Sequence, residues 1–201
     1  MGTRSILKGT WPVLIGLMGT ALLFACGGDG QGTLEMRLAD ISATTALSAP
    51  EGGVATLVSG VEAITVIFDR VMVHRSAAAG ENDAGWIEVL DDSLPDADRT
   101  FDLLTVAAGN FDVLGVTTLA AGKYQQIRVI IEDASITISG ATSPLTVSSG
   151  AQTGLKLNHN FTVVEDQETT LTLDFDAEQS VKEEPASSGM YRIDPVIGIV
   201  Q

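Results

Sequence analysis

From Leu155 to Val163 every second side chain is apolar or a ring: Leu155, Leu157, His159, Phe161 and Val163 alternate with Lys156, Asn158, Asn160 and Thr162. A period of two does not fit a helix, whose faces repeat near 3.6 residues. It fits a strand with one face on a core and the other in water. The same alternation recurs at Leu34, Met36 and Leu38, and at Leu171, Leu173 and Phe175. Ala63 to Arg75 is apolar on both faces in its middle, through Ile64, Val66, Phe68 and Ile67, Val71, Val73. That is the pattern of a strand inside a sheet.

Shorter strands are expected at Trp86–Leu90, at Tyr124–Glu132 with Ile127, Val129 and Ile131 on one face, and at Ile136 and Ile138. Tyr191, Ile193, Ile197 and Ile199 close the domain, and Phe101–Leu119 fits a strand with one short helix near 105–115. Residues 77–85, the acidic 91–99 with Pro95, and the small-residue stretch 43–60 with Pro50 read as turns and loops. About nine strands punctuated this way predict an all-β fold, an antiparallel β-sandwich of immunoglobulin-like or prealbumin-like type, as one domain over 33–201. Leu119-Ala-Ala-Gly122-Lys-Tyr124 supports it. A Leu five positions and a Gly two positions before a Tyr resemble a tyrosine corner, in which the phenol bonds upstream backbone. Gly122, Tyr124 and Trp86 are therefore expected to be structural.

The lone cysteine fixes an address. Arg4 and Lys8 precede an apolar run from Trp11 to Ala25. As a helix it would reach roughly 22 Å, short of a bilayer core of about 30 Å. It is therefore expected to be a signal peptide, residues 1–25. Leu23-Phe24-Ala25-Cys26 resembles the lipobox of bacterial lipoproteins. Lipidation of Cys26 would tie the chain to a membrane, because two or three acyl chains hold where one does not. Gly27, not Asp, follows the cysteine, which leans towards the outer membrane rather than the inner. Residues 26–32 would then be a flexible tether, of which 27–32 reach about 13 Å.

The chain carries a formal charge of −15, with 26 acidic against 11 basic residues, two of them in the signal segment. A surface this acidic excludes nucleic acid as a partner class. With its one thiol lipidated the fold has no disulfide and no cysteine cluster for zinc.

Several segments together are similar to an uncharacterised bacterial lipoprotein family, domain of unknown function 4382. They are Gly32–Asp40, Val71–Arg75 with Gly85-Trp86, Thr100–Leu104, Ala121–Arg128, Ser149–Lys156 and Leu173–Glu178. The chain departs from it in the long 43–60 stretch and in Ala121, where a proline is common. The resemblance implies a cell-envelope address and a sandwich-like domain. It supplies no catalytic residue, since the family has no established activity.

Among chemistry-bearing residues, Asp174, Asp176 and Glu178 stand two apart. On a strand they would share one face and offer hard oxygens to Ca²⁺. They would also lie about 7 Å apart, too far to share an ion without outside ligands. A solvated strand end is the simpler explanation. Asp91, Asp92, Asp96 and Asp98 read as a solvated loop. His159, between Leu157 and Phe161, reads as a hydrogen-bonded core residue, and His74 ends a strand. Neither belongs to a pair at zinc-ligand spacing, and no Gly-x-Ser-x-Gly elbow is present. Trp86 and Tyr191 are either a sugar platform or core packing. The sequence thus points to a non-catalytic binding or assembly module with an envelope protein or glycan as partner. The alternatives are an envelope hydrolase or metal-binding domain at the acidic cluster, or a structural subunit pairing through an open sheet edge.

Overall fold

The computed structural model describes residues 30–41, 60–107, 109–185 and 188–201. The expected signal segment, Cys26 and all of the 43–60 loop except Gly60 lie outside these residues. Twelve strands follow in order: β1 (Gln31–Ala39), β2 (Val61–His74), β3 (Ile87–Leu90), β4 (Thr100–Asp102), β5 (Asp112–Ala120), β6 (Gly122–Ile138), β7 (Ala141–Val147), β8 (Leu155–Val163), β9 (Glu168–Phe175), β10 (Val181–Glu183), β11 (Tyr191–Ile193) and β12 (Ile197–Val200). Two short helices, α1 (Ser149–Thr153) and α2 (Ala177–Ser180), join them. One sheet runs β12-β9-β1-β5, the other β10-β11-β7-β6-β2-β3, with β4 also on β2 and β8 also on β6.

The all-β, sandwich-like architecture is the one expected, with four differences. The sheets are mixed, because β1 runs parallel to β9 and β7 parallel to β11. Ile136 and Ile138 belong to the 17-residue β6 rather than to a strand of their own. No helix forms among the described residues of 105–115. There Asp102 Oδ1 accepts from the N–H groups of Ile64 and Leu104, each at 3.1 Å, and pins a turn. That turn drops Leu103 and Val106 into the core, so their spacing reflects a plug and not a helical face. β1 begins at Gln31, inside the expected tether. Gly32 is needed there, since a Cβ would collide with the backbone oxygen of Val164.

Leu34, Met36 and Leu38 of β1 and Leu171, Leu173 and Phe175 of β9 are fully buried and share one core with Ile64, Val66 and Phe68 of β2 and Ile127, Val129 and Ile131 of β6. Each such side chain contributes about 1.5–3 kcal/mol by leaving water. Phe68 and Val71 are both buried although three apart. The register explains this: Glu132 is bulged out of β6 and Asp69 out of β2, which shifts the phase of β2 by one residue. Arg99 closes the bulge. It is buried, and donates to Phe68 O at 2.8 Å, Leu94 O at 3.0 Å, Glu132 Oε2 at 2.9 Å and Asp96 Oδ1 at 2.6 Å. Asp96 is therefore more than a solvated loop carboxylate.

At the β5–β6 corner Gly122 has φ +138°, a region open to glycine and costly to other residues. The fully buried Tyr124 donates its phenol to Ala120 O at 3.0 Å and stacks on Phe161 at 5.3 Å. Arg75 lies over the Tyr124 ring and donates to Ala120 O and Ala121 O at 3.1 and 3.2 Å. Across the sandwich, the backbone oxygen of Val89 on β3 rests against Gly115 of β5, leaving no room for a Cβ.

Gly115→Ala should therefore lower stability by about 1–3 kcal/mol or more in a denaturant titration, because a backbone carbonyl cannot swing aside as a side chain would. Gly150→Ala, whose added carbon meets nothing within 4 Å, should be neutral or stabilising in the same experiment. Tyr124→Phe should cost about 1 kcal/mol, the usual net worth of one hydrogen bond.

Candidate functional site

The strongest chemical feature lies on the outward face of the larger sheet. Along β6, Ile127, Val129 and Ile131 point into the core. The other face would be solvent-exposed if nothing covered it, yet Gln126, Arg128 and Ile130 are buried too. The cover is the strap between β2 and β3. Its Ala79 is buried, and side chains of the sheet hold it down. Gln125 Oε1 accepts from Ala77 N at 3.3 Å, and Lys156 Nζ donates to Ala79 O at 3.4 Å. His74 grips both ends of the strap. Ser76 N donates to its Nδ1 at 2.9 Å, so the proton sits on Nε2, which donates to Ala84 O at 3.1 Å. Trp86 sends its Nε1–H to Gly80 O at 2.8 Å and packs against His74 with ring centroids 5.0 Å apart.

Beneath the strap the pairing registers align Glu88, Met72, Arg128 and Lys156 in one row across β3, β2, β6 and β8. A depression of about 310 Å³ opens over this row, lined by Arg70, Met72, Glu88, Arg128 and Ile130, by Trp86, and by Glu81, Asn82 and Asp83 of the strap. Arg128 is 3% exposed. Its guanidinium lies 5.3 Å from the Trp86 ring centroid. On another side it is backed by Gly154 (φ +114°), where a Cβ would lie 2.8 Å from Arg128 Cδ and Nε. Its Nε and Nη1 are buried without a hydrogen-bond partner. Among the described residues no carboxylate lies within ion-pair distance of it. Of the acidic groups nearby, Glu88 stands 3.9 Å from Arg70 Nη1, Asp83 Oδ2 accepts from Gly80 N at 2.8 Å, and Glu81 is exposed on the strap.

The residues singled out by sequence fall in separate places. Trp86 lines this depression, whereas Tyr191 lines a separate one with Arg192, whose guanidinium is already paired with Glu184 and Asp194. No shared aromatic platform exists. The acidic trio does not share a strand face, because β9 ends at Phe175. Asp174 Oδ1 accepts from Ile41 N at 2.7 Å. Asp176 caps α2 by accepting from Gln179 N at 2.8 Å, and Glu178 lies on that helix. A cap satisfies an otherwise orphaned helix donor, and this local chemistry overrides the two-residue spacing. Among the described residues no group of three His, Cys, Asp or Glu side chains could hold a metal ion. His159 is half-buried, but its Nε2 has no hydrogen-bond partner, contrary to expectation. Arg128 was missed by sequence reasoning. The available signal was one cation inside the otherwise apolar run Ile127–Ile131, between Ile127 and Val129, with Lys156 brought beside it only by pairing.

Gly154→Ala should destabilise the chain both through its φ and through collision with Arg128. In an Arg128→Ala background the second part should vanish. A double-mutant cycle by denaturant unfolding should therefore give a coupling of about 0.5–3 kcal/mol. Strict additivity would mean that Gly154 does not shape the arginine's place.

Comparison with known proteins gives one match. The family model described as Domain of unknown function (DUF4382) matches residues 31–195. No curated protein and no solved structure matches. The chain belongs to the DUF4382 family.

Proposed function

We propose that this member of the DUF4382 family is a lipid-anchored module of the bacterial cell envelope that binds a partner without turning it over. Its binding site is the depression beneath the 76–86 strap. The observation that carries the reading is Arg128, a buried guanidinium with orphaned nitrogens in a cleft that the fold holds open with a glycine on one side and a tryptophan on the other. Leaving such a charge uncompensated costs several kcal/mol, and a bound group can offset that cost. The anchor is supported by the run ending in Ala25-Cys26, and the outer membrane is favoured by Gly27. A hydrolase centred on Asp174 and Asp176 gains no support, since both carboxylates are occupied by backbone N–H groups.

Mass spectrometry of the protein purified from membranes of its own host should find an N-terminus at Cys26 carrying acyl chains. An intact Met1, or cleavage elsewhere without lipid, would remove the anchor. A photo-crosslinking residue at Asn82, on the rim of the depression, should capture an envelope partner in intact cells. One at Thr118, exposed on the other sheet, should not. Equal capture at both positions would count against the cleft as the binding site.

A further inference from the structure

We propose that the depression takes a hydroxylated carboxylate, the chemical class of sugar acids. The carboxylate would face Arg128, and the hydroxyls would face the carboxylates of the rim. This inference rests on the binding-site reading above and names the ligand.

Three observations select the class. First, the cationic end of the row is unmatched. Arg128 and Lys156 are direct cross-strand partners, and like charges in that position repel. Lys156 donates to a backbone carbonyl and Arg128 has two nitrogens with no acceptor at all. The same chain gives another buried arginine a partner at every nitrogen: Arg99 makes four hydrogen bonds, two of them to carboxylates. The missing acceptor at Arg128 is therefore local to this cleft, and a carboxylate complements a guanidinium well in shape and charge.

Second, the opposite side of the cleft is acidic. Glu81, Asp83 and Glu88 line it together with Arg70, whose guanidinium is already held by Asp69 at 3.0 Å, so the carboxylates outnumber the cation there, and ionised carboxylates only accept hydrogen bonds. A bare inorganic anion would meet repulsion there. A neutral polyol would satisfy the rim and leave Arg128 unmet. A ligand with one carboxylate and several hydroxyl donors matches both ends. Third, the volume of about 310 Å³ sits at the lower limit of small-molecule sites, about 300–1,000 Å³. It suits one ring-sized unit rather than an extended chain.

Trp86 makes the test direct. Trp11→Phe leaves it as the sole tryptophan of the full chain, and the Arg128 guanidinium lies over its ring. A ligand that draws on Arg128 should change its fluorescence. The full-length Trp11→Phe protein in detergent would be titrated with sodium glucuronate, glucose and inorganic phosphate. Glucuronate should shift the Trp86 emission saturably, with glucose and phosphate each at least about tenfold weaker, as expected when one charge-assisted hydrogen bond or its hydroxyl complement is lost.

Arg128→Met, which keeps the length of the stem and removes the charge, should abolish the shift while leaving the melting temperature equal or higher. If that variant fails to fold, Glu88→Gln provides the second arm and should weaken glucuronate while narrowing its advantage over phosphate. Equal binding of phosphate and glucuronate would overturn the sugar-acid class, as would undiminished glucuronate binding by Arg128→Met. No response to any of the three probes would also overturn it. If that silence were accompanied by partner capture at Asn82, the binding-site reading would survive without this ligand. Silence in both experiments would remove the two together.

Discussion

The antiparallel ladder between β2 and β6 is the constraint on which the rest of the molecule hangs. Its pairs run from Val61 against Ile138 to His74 against Gln126. β3 and β4 attach to β2; β7 and β8 attach to β6, and β7 carries β11 and then β10. A ladder this long would drift out of phase with its own core as the sheet twists. The double bulge at Asp69 and Glu132 resets the phase, and Arg99 makes that reset a fixed point instead of a weak one. Because the bulge returns Val71 and Val73 to the interior, it also turns Arg70, Met72 and His74 outward, which is where the strap and the cleft are built.

The two buried arginines show how differently one residue type can be used. Arg99 works through hydrogen bonding: each of its three nitrogens finds oxygen, and the surrounding loop is held by them. Arg128 is held by shape, between the Trp86 ring and the bare backbone of Gly154, and its donors are left over. Packing places the charge and hydrogen bonding does not quench it. Positions of that kind are expected where a fold keeps a charge available.

Strand faces were legible wherever alternation was clean. β1, β8 and β9 stand in the phase that Leu34, Phe161 and Leu173 imply, and the corner tyrosine carries its bond to Ala120. What was not legible has physical causes. β7 contains Pro144, the last residue paired with β6 before Leu145 crosses to β11; a proline demotes a strand when only one chain segment is in view. The parallel pairs depend on segments far apart in sequence. The shared strand face expected for Asp174, Asp176 and Glu178 does not form, because β9 ends at Phe175 and the backbone's turn into α2 makes Asp176 a cap, which spacing does not encode. Arg128 looked like an ordinary outward-facing cation because the strap that buries it gives no periodic signal of its own.

The contact of Val89 with Gly115 has a consequence for how copies of this molecule can associate. Of the six strands with a single sheet partner among the described residues, β3 and β5 meet each other at Gly115, and β4, β8, β10 and β12 end elsewhere. A row of hydrogen-bonding groups that is blocked by its own neighbour cannot recruit a foreign strand. A foreign strand pairing at β3 or β5 would have to displace that contact first, so the other edges are the easier places for it to add. The glycine at 115 thus does more than admit a carbonyl: it lets edge strands of two different sheets cover one another, which is one way a strand-rich chain shields its edges.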